Sequence, residues 1–318
     1  MRVLAWHVHG SWMTSFVQGP HDYVVPVDDE RSPDGRGRAQ SWDWPASVRE
    51  VHVDALRGEL VDVVVLQRPV ELELLERWTG LRAGVDVPAV YVEHNTPAGS
   101  AVTTRHHLAD RTDLPLVHVT PFNALTWDNG DAPVTVIEHG IPDPGPVWTG
   151  ERERAAAVVN EPVRRWRVAG TDVLLDVAAH LPVEVYGMGT APLAEREPSL
   201  VGHLHDLPQA RLHARIAQAR AYLHPYRWTS LGLSLIEAMT LGMPVAALAT
   251  TAAPEAVPPD AGVVSADPAV LVAALQRWLA DPAEARDRGA AARTFALDRF
   301  GLARFLSDWD QVLKGVTG

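Results

Sequence analysis

A chain of 318 residues is long enough for two domains of ordinary size, each burying its own core. The formal charge is −12, with 40 acidic against 28 basic residues, which excludes the basic face that a nucleic-acid binder needs to neutralise phosphates. There is no cysteine, so no disulfide or cysteine-ligated zinc holds the fold; the only lysine is Lys314, so a phosphate-binding cation must be arginine or histidine.

The opening MRVLAWHVHG is apolar but too short and poorly flanked for a signal peptide, and reads as a first strand. RVLAWHV, DVVVLQR, PAVYVEH, PLVHVT and PVTVIEH follow one another as buried strands, dense in β-branched residues and bounded by turns. SVREVHVDALRGEL and ELELLERWTGLR read as helices between them, which predicts a parallel α/β sheet. The Pro- and Gly-rich stretch IPDPGPVWTGERER then interrupts the pattern and reads as a linker. Beyond it, strands are expected at AAAVVN, VEVYGMG, AYLHPY, PVAAL and GVVSA. Helices are expected at GTDVLLDVAAHL, LPQARLHARIAQAR, SLIEAMTLG, VLVAALQRWLA, ARDRGAAARTFALDRF and GLARFLSDWDQVLKG. The expected domains are 1–142 and 155–299, joined by a linker over 143–154, with a final helix over 300–318 crossing back to the first. Two such doubly wound domains facing a central cleft would bind ligands at the carboxyl ends of their strands. No apolar run approaches the roughly 20 residues of a membrane span, so a cytoplasmic protein without stable membrane insertion is expected.

The stretch WTSLGLSLIEAMTLGMPV carries the chemistry. Ser230-Leu231-Gly232-Leu233 opens a helix whose first amides lack intrahelical partners and form an anion site; a glycine there lets a phosphate approach the backbone. Glu237 stands about one turn further in, within reach of a hydroxyl-bearing ligand. An ordinary β-α-β unit with a solvated glutamate accounts for the same residues equally well on local evidence.

The stretch also resembles the donor-binding segment of retaining GT-B glycosyltransferases of the family 4 type. His224-Pro225, Ser230 to Leu233, Glu237-Ala238-Met239 and Gly242 to Ala246 fall in register with that family's pattern, and Pro254-Glu255 follows. GTDVLLDVA, VEVYGMG and the segment from Gly202 to Pro225 extend the likeness. VIEHGIPD resembles the family's interdomain corner with His139 in place of asparagine, and YVEHNTP its strand ending in histidine. The resemblance implies a GT-B fold and a nucleotide-diphosphate sugar as co-substrate, with no other cofactor and no metal site. It implies that the amides around Ser230 to Leu233 hold the diphosphate, that Glu237 hydrogen-bonds the ribose, and that His203 and Leu204 line the base. His94 would stand near the donor sugar and acceptor, with Gly10 at the diphosphate and His9 and Trp12 on the acceptor side. His7 and His9 lie on one side of a strand, but no third metal ligand is identifiable.

Two departures from the family bear on function. Thr229 stands where the family has a glutamate that contacts donor-sugar hydroxyls. The basic pair that neutralises the leaving diphosphate is also missing: Asn160 and Ala169 occupy its positions, and Arg164, Arg165 and Arg167 in the intervening loop are the substitutes. The expected function is transfer of a sugar from a nucleotide-diphosphate sugar to an acceptor hydroxyl, retaining and metal-independent. The acceptor is a small molecule or glycan, and a soluble one is favoured by the compact first domain. The alternative is a non-catalytic GT-B protein that binds a nucleotide sugar or glycan, for which Thr229 is the support. An epimerase on the same fold is a third reading; a phosphorylase is disfavoured by the scarcity of lysine.

Overall fold

Short runs of β-branched residues separated by helices fold here into two separate parallel sheets. The computed structural model describes residues 1–40 and 42–318. The chain divides into one unit made of residues 1–142 with 302–318, and a second made of residues 143–301.

The first unit contains β1 (Arg2–Ala5), α1 (Gly10–Phe16), β2 (Asp22–Val27), β3 (Val48–His52), β4 (Val63–Leu66), α2 (Val70–Thr79), β5 (Ala89–Glu93), β6 (Leu116–His118), α3 (Pro121–Thr126) and β7 (Val134–Val136). Its sheet runs β3-β2-β1-β4-β5-β6-β7, with every pairing parallel. β4 and β5 are buried at every residue, as a parallel strand covered on both faces must be. SVREVHVDALRGEL is not the expected helix: Val48–His52 is a strand, followed by a 3-10 turn over Val53–Gly58. Its valines pair with β2, in register Pro26 with Val51, and sheet pairing overrides a spacing that also suits a helix. β2 itself was hidden by Pro26, a residue that argues against a central strand.

The second unit contains β8 (Arg152–Val158), α4 (Trp166–Ala169), α5 (Thr171–Ala178), β9 (Val183–Tyr186), α6 (Leu193–Arg196), β10 (Leu204–His205), α7 (Gln209–Ile216), β11 (Ala219–His224), α8 (Leu233–Leu241), β12 (Val245–Leu248), α9 (Ala253–Ala256), β13 (Gly262–Ser265), α10 (Pro268–Ala280) and α11 (Pro282–Arg299). The sheet order β10-β9-β8-β11-β12-β13 reverses direction between β8 and β11, the arrangement of a doubly wound fold. Alternate residues of the strands, Ala155, Ala157, Val183, Val185, Ala221 and Leu223 among them, point into one core with Leu275 and Trp278 of α10. Asp267 and Asp281 cap α10 and α11, each with proline at the first helical position. Residues 143–154, expected as a linker, belong to this unit: the Trp148 amide donates to Leu241 O at 3.3 Å, and 152–154 lie in β8.

The last helix, α12 (Leu302–Thr317), belongs to the first unit and buries Phe305, Trp309 and Leu313 there. Trp309 packs edge-on to Trp12 and Phe16, with ring centres 5.5 and 5.1 Å away. Arg304 donates to the carbonyls of Glu138 and His139 at 2.9 and 2.6 Å, fixing the corner that follows β7.

Two glycines of the second unit differ in a way that can be measured. Gly170, with φ of +69°, joins α4 to α5, and a Cβ there would overlap the Pro225 carbonyl. Gly202, with φ of +83°, faces open space. Gly202→Ala should therefore cost only the left-handed backbone penalty, about 1–2 kcal/mol. Gly170→Ala adds a backbone clash and should cost about 2–5 kcal/mol. Calorimetric melting of the two variants checks this, and equal losses would contradict it.

Candidate functional site

The carboxyl ends of β8 and β11 are neighbours at the point where strand order reverses, and the loops leaving them carry most of the residues singled out above. β11 ends in an aromatic column: the His224 ring stacks on Tyr226 with centres 5.0 Å apart. His224 is fully enclosed, and burial alone pushes its pKa down to about 3, so the imidazole is neutral. Gly232 caps α8, and a Cβ on it would run into the His224 ring. Glycine is required there by packing on His224, a reason different from the expected approach of a phosphate. Ser230 and Leu231 are buried, and the N-cap residue Gly232 supplies no side-chain cap, so the first amides of α8 face the loop with the positive end of the helix dipole behind them. Thr229 lies half-buried on the same loop.

Glu237 is 6% exposed, one turn inside α8. Gln209 of α7 donates its side-chain amide to Glu237 Oε1 at 2.9 Å, and His213 Nε2 lies 3.6 Å from Oε2. The helix ends at Gly242, with φ of +94°, where Gly289 of α11 packs so closely that a Cβ on it would overlap the Gly242 carbonyl. The Gly-x-Pro-Val turn is thus fixed from the α11 side.

The three arginines after β8 separate into different environments. Arg164 and Arg167 are 70% and 71% exposed at their side chains, the first 3.5 Å from Glu161 and the second paired with Asp172 at 2.7 Å. Arg227, from the loop after β11, also clamps Asp172, at 2.8 Å through Nη2. Arg165 is half-buried, with its guanidinium 5.8 Å from the centre of the Tyr226 ring, and no carboxylate pairs with it among the described residues. The Asn160 amide donates to Tyr226 Oη at 3.2 Å, so Arg165, Tyr226 and the end of β8 form one corner. His203 spends its backbone on the sheet edge, its N–H on Leu200 O and its carbonyl on Val185 N, both at 2.8 Å. Leu204 packs against the core.

In the first unit, His94 follows β5 and is buried against Gln67, whose amide oxygen lies 3.1 Å from His94 Nε2. Because the Gln67 amide nitrogen is committed to Trp6 O at 2.8 Å, its oxygen faces His94, which makes Nε2 the donor. His9 packs against His94, the rings tilted by 42° with centres 4.1 Å apart. Burial pushes His94 well below the ordinary imidazole range, His9 down to about 4 and His139 down to about 3; the charge of His9 adds to the fall at His94 and His139, while Glu93 opposes it at His9. His7 turns away to Trp44 and the Gly37 carbonyl, so it does not converge with His9. Among the described residues no three His, Asp or Glu side chains are placed to hold a metal ion. Gly10 begins α1 under the Trp42 ring, which a Cβ would strike. Trp12, expected at the acceptor, is instead a core residue: it is 1% exposed, between Phe16, Phe305 and Trp309.

Residues 199–295 match the family model described as glycosyl transferases group 1. The matched segment lies within the second unit. A search among curated proteins gave no match for this chain. Among solved structures, its fold is similar to sucrose-phosphate synthase from Thermosynechococcus elongatus, with a TM-score of 0.71 and 15% identity over 99% of this chain and 98% of that one. Anabaena HepE in complex with UDP superposes with a TM-score of 0.70 and 15% identity over 99% and 100%. A glycosyltransferase from Rickettsia africae does so with a TM-score of 0.68 and 12% identity over 99% and 98%. At these identities the likeness is one of fold, and that fold is GT-B.

Several residues at the strand ends escape a reading by motif. Gln67 ends the apolar strand β4 as His94 ends β5, and a polar residue closing an all-apolar run is the signal that would find it. Gln209 and His213 are one helical turn apart and share a face of α7, but only the fold turns that face to Glu237. Tyr226 is visible only as an aromatic after His224-Pro225.

The neutral histidines make stability depend on pH. His94, His139 and His224 have folded-state pKa values below the unfolded value near 6.5, so the stability they confer is present above that value. It is lost as pH falls toward their folded values. Each contributes a slope of up to about 1.4 kcal/mol per pH unit in that window. The melting temperature should fall steadily between pH 7 and pH 5, and His224→Phe should flatten the dependence. A profile level across that range would show that these rings are not held neutral.

Proposed function

We propose that this glycosyltransferase transfers a sugar from a nucleotide-diphosphate sugar to an acceptor hydroxyl, with retention of configuration and without a metal ion or other cofactor. One observation carries the reading. The amino end of α8, whose N-cap glycine has no side chain, the Arg165 guanidinium, which no carboxylate pairs with among the described residues, and the buried Glu237 carboxylate all belong to the carboxyl-end loops and first turns of one doubly wound unit. An amide-lined helix end and a guanidinium suit a diphosphate, and a carboxylate suits the ribose diol. That Anabaena HepE has been solved with UDP, and also with UDP-glucose, supports a nucleotide sugar as donor.

The chemistry follows from charge. Cleavage of the anomeric C–O bond leaves negative charge on the departing diphosphate, and preorganised amides with Arg165 stabilise it where it develops. Arg164 and Arg167, exposed and facing carboxylates, serve as weaker counter-charges. Retention is assigned to front-face attack, with the acceptor proton passing to a donor phosphate oxygen. His94 and His9 of the first unit are assigned to the sugar and acceptor side, and Gly10 to the diphosphate. The acceptor is a small molecule or glycan, and the protein is assigned to the cytoplasm; no described helix is long and apolar enough to cross a membrane.

Thr229 supports a second reading, a protein that binds a nucleotide sugar without transferring it. Calorimetric titration with UDP, GDP, ADP and dTDP, followed by turnover assays with the matching sugar conjugates, separates the two. One nucleotide should bind, and Arg165→Ala should weaken it about 10- to 100-fold, the loss of a charge-assisted contact. Turnover should survive a chelator. Tight donor binding with neither transfer nor hydrolysis would select the non-catalytic reading, and binding insensitive to Arg165→Ala would remove that residue from the site.

A further inference from the structure

Four glutamates are buried among the described residues, and two of them are neutralised by arginine, while Glu93 has His106 at 3.3 Å and the Asn95 amide at 2.7 Å. Glu71 has Arg68 at 2.8 Å, and Glu184 has Arg152 and Arg154 at 2.5 and 3.1 Å. Glu237 is also buried, and among the described residues no arginine or lysine pairs with it. What it has is α7. Gln209 Nε2 lies 2.9 Å from Glu237 Oε1 and 2.8 Å from His213 Nε2. An amide nitrogen carries two hydrogens, so it gives one to each neighbour, and His213 Nε2 must be an acceptor with its hydrogen on Nδ1. His213 therefore cannot donate to Glu237, whose Oε2 is 3.6 Å away. The network fixes the carboxylate through Oε1 and gives Oε2 no hydrogen bond. A buried carboxylate with so few donors is costly unless a ligand completes it.

We infer that Gln209 and His213 are positioning residues that aim Glu237 Oε2 at the paired hydroxyls of a vicinal diol, here the donor's ribose. This rests on the nucleotide-sugar reading, since Glu237 meets the ribose only if the donor lies over the start of α8. His213 orients the Gln209 amide by accepting its second hydrogen. The Gln209 amide in turn holds one carboxylate oxygen, and the geometry directs the other to the ligand. Neither residue need touch the nucleotide.

The test compares affinities of two ligands on the intact protein. The probe is the nucleoside diphosphate that binds most tightly among UDP, GDP, ADP and CDP, measured beside its 2′,3′-dideoxy counterpart by titration calorimetry. The native protein should prefer the ribonucleotide by about 10- to 100-fold, the effect of losing hydrogen bonds to a charged group. Glu237→Ala should abolish that preference. Gln209→Ala and the Gln209→Ala/His213→Ala pair should cut it at least about 5-fold while affinity for the dideoxy ligand stays within about twofold. His213→Gln, which keeps an acceptor for the amide, should retain it. A merely structural role for the pair would lower affinity for both ligands alike. A preference lost in Glu237→Ala but intact in the α7 variants overturns this inference and leaves the donor reading standing. A preference unchanged in Glu237→Ala, or no binding of any nucleotide, overturns both. Melting curves of each variant establish that it is folded.

Discussion

Two missing β-carbons allow the second unit to have a site at all. Gly170 brings the α4–α5 junction onto the Pro225 carbonyl, and Gly232 brings the start of α8 onto the His224 ring. Between them they draw the loop after β8 and the loop after β11 into one corner at the reversal of strand order. Arg165 against Tyr226 and the open end of α8 follow from that convergence. A side chain at either glycine would overlap its neighbour, the Pro225 carbonyl or the His224 ring, and one partner would have to shift.

The charges show a division of labour. The second unit spends most of its arginines on fixed carboxylate partners: Arg167 and Arg227 on Asp172, Arg152 and Arg154 on Glu184, and Arg293 on Asp143 at 2.7 Å. These pairs brace loops and strands. The first unit keeps His94 and His139 neutral, so imidazole there acts through hydrogen bonds and shape. In a chain of net charge −12, one guanidinium without a carboxylate at the strand ends is a local exception, and anionic ligands are attracted to local fields.

Much of the second unit is legible in its sequence because the elements that make the site are contiguous there. Helix α8, its glycine cap and the Gly-x-Pro-Val turn lie within eighteen residues, and local rules cover them. The sequence misleads where partners are remote. β3 reads as a helix because its pairing with β2 is not visible locally. Trp12 reads as a candidate platform for a sugar because nothing in its neighbours announces that Phe305 and Trp309, some 300 residues later, will enclose it. The arginine triplet reads as three equivalent cations, and only the fold distinguishes Arg165, turned to Tyr226, from two neighbours turned to acids. Gln209 and His213 are ordinary polar helix residues until α7 is laid against α8.

The single lysine has a chemical consequence. Lys314 sits in α12, on the first unit, paired with Asp310 at 2.7 Å. The second unit therefore contains no primary amine on any side chain, and its cations are guanidiniums that stay protonated throughout the aqueous pH range, together with histidines. Acetylation, carbamylation and amine-directed coupling have nothing to modify there. The corner at the ends of β8 and β11 is beyond the reach of lysine-based modification, and a surface linked through lysine would hold this protein by α12 alone.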